Sequence, residues 1–127
     1  MNHYLLNMFI NIQNGQIANR SFIFEHRKKI CEIFLKILWI EGFILGYKVS
    51  KKNKIKIFLK YKNKKSVINN IKIISKSSNR IFYTVNDIHK FANNNNSLII
   101  ISTPEGIKSM TECKKYKIGG ELFVSIN

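Results

Sequence analysis

An α+β fold is what this sequence predicts, in one compact domain or in two small lobes sharing an interface. Three observations predict it. Apolar residues recur at spacings of three and four over residues 4–12 and 30–38, the period of helices buried along one face. From Phe43 the period changes towards two, the pattern of paired strands. After residue 70 short apolar runs alternate with polar loops, and Leu98-Ile-Ile-Ile101 has the character of a buried strand. With 127 residues, 45% of them hydrophobic, the chain can bury a core and is not expected to be disordered.

The elements follow in order. Tyr4, Leu5, Met8, Phe9 and Ile12 form the apolar face of a first helix, with Asn14-Gly15 as its stop signal. Arg20-Ser-Phe-Ile-Phe24 is rich in strand formers. A second helix carries Ile30, Ile33, Phe34, Ile37 and Leu38, with Gly42 where a C-terminal cap belongs. Its opening turn holds Arg27, Lys28 and Lys29, the wrong sign for the helix dipole, so either phosphate holds them there or they form a solvated face. Residues 43–49 and 55–61 read as a hairpin around the turn Lys51-Lys52-Asn53-Lys54. That hairpin sets Lys48, Lys56, Lys60 and Lys62 beside Tyr47, Phe58 and Tyr61. The pattern suits contacts to phosphates and bases, and equally an edge strand protected by lysine.

Lys62-Asn63-Lys64-Lys65-Ser66 is polar and charged enough to serve as a link between lobes, giving an N-terminal lobe of residues 1–64 and a C-terminal lobe of residues 65–127. Strands are expected at 71–74, 80–85, 98–101 and 121–126, with a loop at 75–79. Asp87 is expected to cap a short helix running through Phe91, and Asn93–Asn96 form a turn or loop. Residues 102–106 leave the buried strand as a loop. Ser109 and Glu112 then make a capping box for a helix that should stop at Gly119.

Charge points to the partner. Twenty-two Lys and Arg stand against seven Asp and Glu, a formal net charge of +15 with a pI near 10.0. A compact domain with that excess repels itself until a polyanion neutralises it, so nucleic acid or an anionic membrane is expected. The only arginines are Arg20, Arg27 and Arg80, and Lys, Asn and Ile are heavily used. These are residues of A+T-rich codons, which suggests an A+T-rich genome such as an organelle's.

Several chemistries are not indicated. His3, His26 and His89 have no metal-ligand spacing, and Cys31 and Cys113 are far apart without a CxxC, so reduced thiols are expected rather than a metal site or disulfide scaffold. The apolar runs are short and interrupted by charge, unlike a membrane span, and Met1-Asn2-His3-Tyr4 lacks the character of a transit or secretory signal. Asp87 and the six glutamates offer no close acid/base pair, and Ser102 lacks a nucleophile elbow. Gly119-Gly120 is not a phosphate-cradling loop. Neither an enzyme nor a cofactor is expected.

Read in order, the stretches at 98–107 and 117–122, at 74–75 and 80–82, and at 7–14 and 37–44 resemble the family of ribosomal protein eight of the small subunit. Leu98-Ile-Ile-Ile-Ser-Thr-Pro-Glu-Gly-Ile107, continuing to Lys117-Ile-Gly-Gly-Glu-Leu122, is similar to that family's C-terminal signature. Ile74-Ser75 and Arg80-Ile-Phe82 resemble its Ile-Ser-Arg-Pro-Gly-x-Arg-x-Tyr stretch. Asn7-Met8-Phe9-Ile-Asn-Ile-Gln-Asn14 and Ile37-Leu-Trp-Ile-Glu-Gly-Phe-Ile44 are similar to its Asp-Met-Leu-Thr-Arg-Ile-Arg-Asn and Leu-Lys-Glu-Glu-Gly-Tyr-Ile. The match runs through essentially the whole chain.

The resemblance implies two small α/β lobes, the first helix-strand-helix-hairpin and the second a mostly antiparallel sheet with short helices. They would clamp a stem in the central domain of small-subunit rRNA. By motif position, Ser102, Thr103 and Gly106 would lie on the RNA, with Glu121 and the Gly119-Gly120 turn supporting or touching it. Arg80 and Phe82 match the family's Arg and Tyr, while Asn14 and Arg27-Lys28-Lys29 match N-terminal positions near RNA. Without the resemblance, Ser102 and Thr103 read as residues that only satisfy local backbone groups. The sequence departs from the family at Pro104 and Glu105, where Ser-Lys is usual, and at Phe82. Neighbouring small-subunit proteins are the expected secondary partners; no membrane, small-molecule substrate or homo-oligomer is implied. A mitochondrial ribosome is the expected location, with a plastid or an A+T-rich bacterium giving a similar composition. A generic basic nucleic-acid binder without one cognate site is the alternative function.

Overall fold

The computed structural model describes residues 3–76, 78–92 and 97–127; the asparagine run at 93–96 and Ser77 of the expected loop lie outside the described residues. Contacts divide the chain into two compact units, Met1–Asn70 and Ile71–Asn127, and each combines helices with antiparallel sheet.

In the first unit, α1 (His3–Ile17) buries Leu5, Met8, Phe9 and Ile12, the face that the spacing predicts. It does not stop at Gly15. A Cβ there would stand 2.8 Å from Ile23 Cγ2 and 2.9 Å from Leu59 Cδ1, so Gly15 is a close-packing residue inside the helix. The chain turns out at Asn19, in the left-handed region at φ 55°, where the Arg20 amide donates to the Gly15 carbonyl at 2.9 Å.

Strand β1 (Phe22–His26) leads into α2 (Lys29–Ile40), followed by β2 (Ile44–Ser50) and β3 (Lys54–Leu59). The sheet order is β1-β3-β2, antiparallel throughout. Helix α2 buries Cys31, Phe34, Leu35 and Leu38. Its core face is therefore rotated from the expected one, and Ile33 is 37% exposed. Gly42, at φ 81°, ends the helix as expected, with the Phe43 amide donating to the Leu38 carbonyl at 2.8 Å. Ile23, Ile55, Ile57 and Leu59 form the buried side of the sheet.

The polar stretch expected as a link is a second hairpin. Strands β4 (Tyr61–Lys62) and β5 (Lys65–Ser66) pair around Asn63 and Lys64, both left-handed at φ 52° and 64°. Buried Gln16 ties this hairpin to α1. It donates to the Lys60 carbonyl at 3.4 Å and accepts from the Ile68 amide at 3.3 Å. Ser66 Oγ donates to the Gln16 carbonyl at 3.2 Å. These bonds hold residues 65–70 to the first unit, so the division falls after Asn70 rather than after Lys64.

The second unit contains β6 (Ile71–Ile73), β7 (Phe82–Tyr83), α3 (Val85–Ala92), β8 (Leu98–Thr103), β9 (Gly106–Ser109), α4 (Met110–Tyr116) and β10 (Gly120–Ile126). The sheet runs β6-β10-β8-β9, and β7 pairs with the start of β10. Ile88, Ile99, Ile101, Met110, Cys113 and Leu122 make its core, with Ile74 and Tyr83 packed against them. Ser109 caps α4 by accepting from the Glu112 amide at 3.3 Å, as its capping-box spacing predicts. At α3 the reciprocal pair is Thr84 with Asp87: Thr84 N–H donates to Asp87 Oδ2 at 3.0 Å and Asp87 N–H to Thr84 Oγ1 at 3.3 Å. Helix α4 ends at Lys117, left-handed at φ 54°, two residues before the expected glycine. The expected loop at 102–106 is instead a tight hairpin, with Thr103 paired to Gly106 across Pro104-Glu105.

Candidate nucleic-acid interface

The hairpin brings most of the named C-terminal residues to one end of one sheet. Phe82 on β7 lies opposite Glu121 on β10, Glu121 lies opposite Ser102 on β8, and Ser102 lies opposite Ile107 on β9. Residues far apart in the chain thus form a single cross-strand row. Gly120 permits its assembly: a Cβ there would collide with the Ser102 carbonyl oxygen and stand 3.0 Å from Ile101 Cγ2. Gly119 is similarly confined, since its Cβ would lie 2.7 Å from the Tyr83 carbonyl oxygen. Both glycines are half-buried and let strands meet; they are structural supports of the row.

Arg80 closes one side. Its Nε donates to Glu121 Oε1 at 3.1 Å and its Nη2 to Oε2 at 2.7 Å, a bidentate pair. The Arg80 hydrogen bonds hold the Glu121 carboxyl below the usual carboxylate range, and the same bonds raise the guanidinium further above its ordinary value. Glu121 is buried, so its charge is neutralised at the sheet and is not offered to solvent. The Arg80 side chain remains largely exposed, and its Cζ lies 5.5 Å from the Phe82 ring centroid. Phe82 is 62% exposed, a large apolar ring left facing water beside a guanidinium. Ser75, which sequence reasoning placed only in a motif, anchors this corner. Buried Ser75 accepts from the Ile81 amide at 2.9 Å and donates to the Ile81 carbonyl at 3.3 Å.

The two loop hydroxyls behave differently. Thr103 is buried, and its Oγ1 donates to the Gly106 carbonyl at 2.6 Å, closing the hairpin. It does what a Ser or Thr at a turn commonly does. Ser102 is half-buried, and its hydroxyl makes no hydrogen bond among the described residues. Gly106 has open space around the missing Cβ, but its φ of 118° lies where L side chains are strained. Pro104, Glu105 and Gly106 are exposed at the hairpin tip.

The remaining candidates belong to the first unit, and the structure does not gather them into one group. Asn14 is exposed on α1, ten residues beyond Tyr4 and therefore about 15 Å along the helix. Lys28 stands over the Tyr4 ring, 4.4 Å from its centroid. Arg27 Nε is 3.7 Å from Glu32 Oε2, an acidic residue in the first turn of α2 that offsets the misplaced cations. Lys29 is exposed. The described residues contain no group of three or more His, Cys, Asp or Glu able to hold a metal, and no helix is long and apolar enough to cross a membrane.

Fold, charge and this exposed basic-aromatic corner define a small, strongly basic α+β protein. Comparison with known proteins then gives the family: the profile described as Ribosomal protein S8 matches residues 3–127, and the chain belongs to that family. It is 36% identical over 125 residues to a small ribosomal subunit protein uS8 of Buchnera aphidicola subsp. Cinara cedri, covering 97% of this chain and 95% of that one. It is 32% identical over 124 residues to the small ribosomal subunit protein uS8m of Acanthamoeba castellanii, covering 97% and 98%. A uS8 of Rhizobium rhizogenes is 32% identical over 123 residues, covering 94% and 92%.

Proposed function

We propose that this protein is a structural constituent of the small ribosomal subunit, without enzymatic activity, whose second unit grips a stem in the central domain of small-subunit rRNA. The observation that carries the reading is the row Phe82-Glu121-Ser102, clamped by Arg80 and closed by the Thr103–Gly106 hairpin. Its members divide into two roles. Ser102 offers an unused donor and acceptor to ribose, phosphate or a base edge. Phe82 offers a stacking face, Arg80 a guanidinium edge, and Gly106 a backbone that RNA can approach closely. Thr103, Glu121, Gly119 and Gly120 hold the first group in place. Asn14, Arg27, Lys28 and Lys29 add phosphate contacts from the first unit, and the other lysines add salt-dependent affinity by counterion release. Neighbouring small-subunit proteins are the further partners. The Lys, Asn and Ile usage and the mitochondrial relative support a mitochondrial ribosome as the location, which sedimentation of the tagged protein with mitochondrial small subunits tests.

Ultraviolet crosslinking with sequencing of the bound RNA tests the function. Sharp crosslinks to one stem, weakened by Ser102→Ala with Thr103→Ala, are expected. Diffuse crosslinks over unrelated RNAs, unchanged by that double substitution, would leave only a generic basic nucleic-acid binder.

A further inference from the structure

The first unit carries a second surface whose aromatic rings the rRNA-stem reading does not use. One face of its sheet is buried under the helices; the other presents three cross-strand rows. His26, Lys54 and Ser50 form the first, Phe24, Lys56 and Lys48 the second, and Phe22, Phe58 and Gly46 the third. Phe22 and Phe24 are 39% and 47% exposed, although each would be expected to seek cover. Their rings meet edge to face at 5.5 Å between centroids. Lys56 Nζ hangs over them, 4.1 Å from the Phe22 centroid, 5.3 Å from Phe58 and 6.0 Å from Phe24. Lys60 and Tyr61 of the same lysine-aromatic pattern are used internally, by bonds to the Gly42 and Arg20 carbonyls at 3.0 and 2.6 Å. Tyr47 lies opposite Ile57, off this face.

Charge identifies the occupant. Lys48 and Lys56 are direct cross-strand neighbours of like sign, an arrangement that costs stability unless an anion lies between or over them. Among the described residues neither they nor Lys54 pairs with a carboxylate. Glu25, the acidic residue of β1, lies opposite inward-facing Ile55, and its Oε2 accepts from Asn11 Nδ2 at 3.0 Å. A face whose ammonium groups have no carboxylate partner and stand among half-exposed rings matches a strand of unpaired nucleotides, phosphates on the lysines and bases beside the rings. A duplex would present phosphates alone and leave the rings in water.

We propose that this sheet face is a binding platform for unpaired RNA, separate from the stem-gripping row of the second unit. The test uses the full chain and two ligands, an unstructured oligouridylate and the cognate stem, with affinity read by fluorescence anisotropy. Phe22→Ser with Phe24→Ser leaves the net charge unchanged and alters only exposed rings. It is expected to weaken oligouridylate binding about ten-fold or more, the scale of one lost stacking contact, while stem binding and the melting temperature stay as they were. Phe22→Tyr with Phe24→Tyr should retain the affinity. Unchanged oligouridylate affinity in the serine variant would overturn the proposal and assign this face to a protein segment or to solvent. A parallel fall on both ligands would also overturn it, because the platform would then not be separate. Failure of stem binding in the wild-type chain would count against the proposed function and not against the platform.

Discussion

Arg80 and Glu121, 41 residues apart in the chain, meet through two hydrogen bonds that join the loop before β7 to the central strand β10. This pairing makes one corner of the second unit sensitive to acid. Glu121 titrates below the usual carboxylate range because Arg80 bonds its charged form. Its contribution to stability is therefore present above the ordinary glutamate range and is lost as pH falls through the lower, folded-state value. Glu121→Gln removes that contribution at neutral pH. Melting temperatures of the two proteins should differ most near pH 7 and converge in acid; a constant gap from pH 7 to strong acid would contradict the assignment.

The glycines of the second unit should respond to substitution for different reasons. Gly120→Ala drives a methyl into the Ser102 carbonyl, so β8 and β10 must part. A loss of at least about 1–3 kcal/mol is expected from overpacking. Gly106→Ala meets nothing but acquires a strained φ of 118°, and should cost about 1 kcal/mol. Urea unfolding of both variants checks the order, which would be reversed if Gly106 were the packed position.

The Ser102 and Thr103 hydroxyls should separate binding from stability. Thr103→Ala removes the bond to the Gly106 carbonyl and is expected to lower unfolding free energy by about 0.5–1.5 kcal/mol. Ser102→Ala removes no bond within the described residues and should leave the urea midpoint in place while lowering affinity for the rRNA stem. Equal effects of the two on stability would count against the roles assigned here.

Both cysteines should be inert in the folded chain. Cys31 is fully buried, and that burial, with nearby Glu25, pushes its thiol up to about 11. Burial raises Cys113 as well. The reactive thiolate is therefore scarce at pH 8, and access is closed. Disulfide-exchange reagents should titrate almost no thiol in native protein and both after denaturation.

Much of the architecture was legible because its signals are local. The first helix face, the lysine-turned hairpin, the Gly42 stop and the Ser109 cap each depend on neighbours within a few residues. The readings that failed depend on distant ones. Gly15 reads as a helix stop until Ile23 and Leu59 close over it. The Pro104-Glu105 turn hides a strand of only four residues, too short to show a period. The lysine-rich stretch at 62–66 looks like a link because its anchors, Gln16 and Arg20, lie more than 40 residues upstream. In the interface, the resemblance supplied the residue list, but no spacing separates Thr103, which is spent on its own hairpin, from Ser102, which is not. Phe22 and Phe24 reach the lysine face from another strand, a juxtaposition that no local spacing encodes.

Gln16 has a consequence for the order in which the protein can be made. Its side-chain oxygen receives the Ile68 amide, 52 residues later in the chain, and its amide group reaches the Lys60 carbonyl. During synthesis from the N-terminus, α1 emerges long before either partner exists, and its polar end has only water to satisfy it. Sealing that buried glutamine is thus a late event, deferred until nearly the whole first unit is available. Nascent chains halted before Ile68 should keep the last turn of α1 open to hydrogen exchange, and chains a few residues longer should protect it.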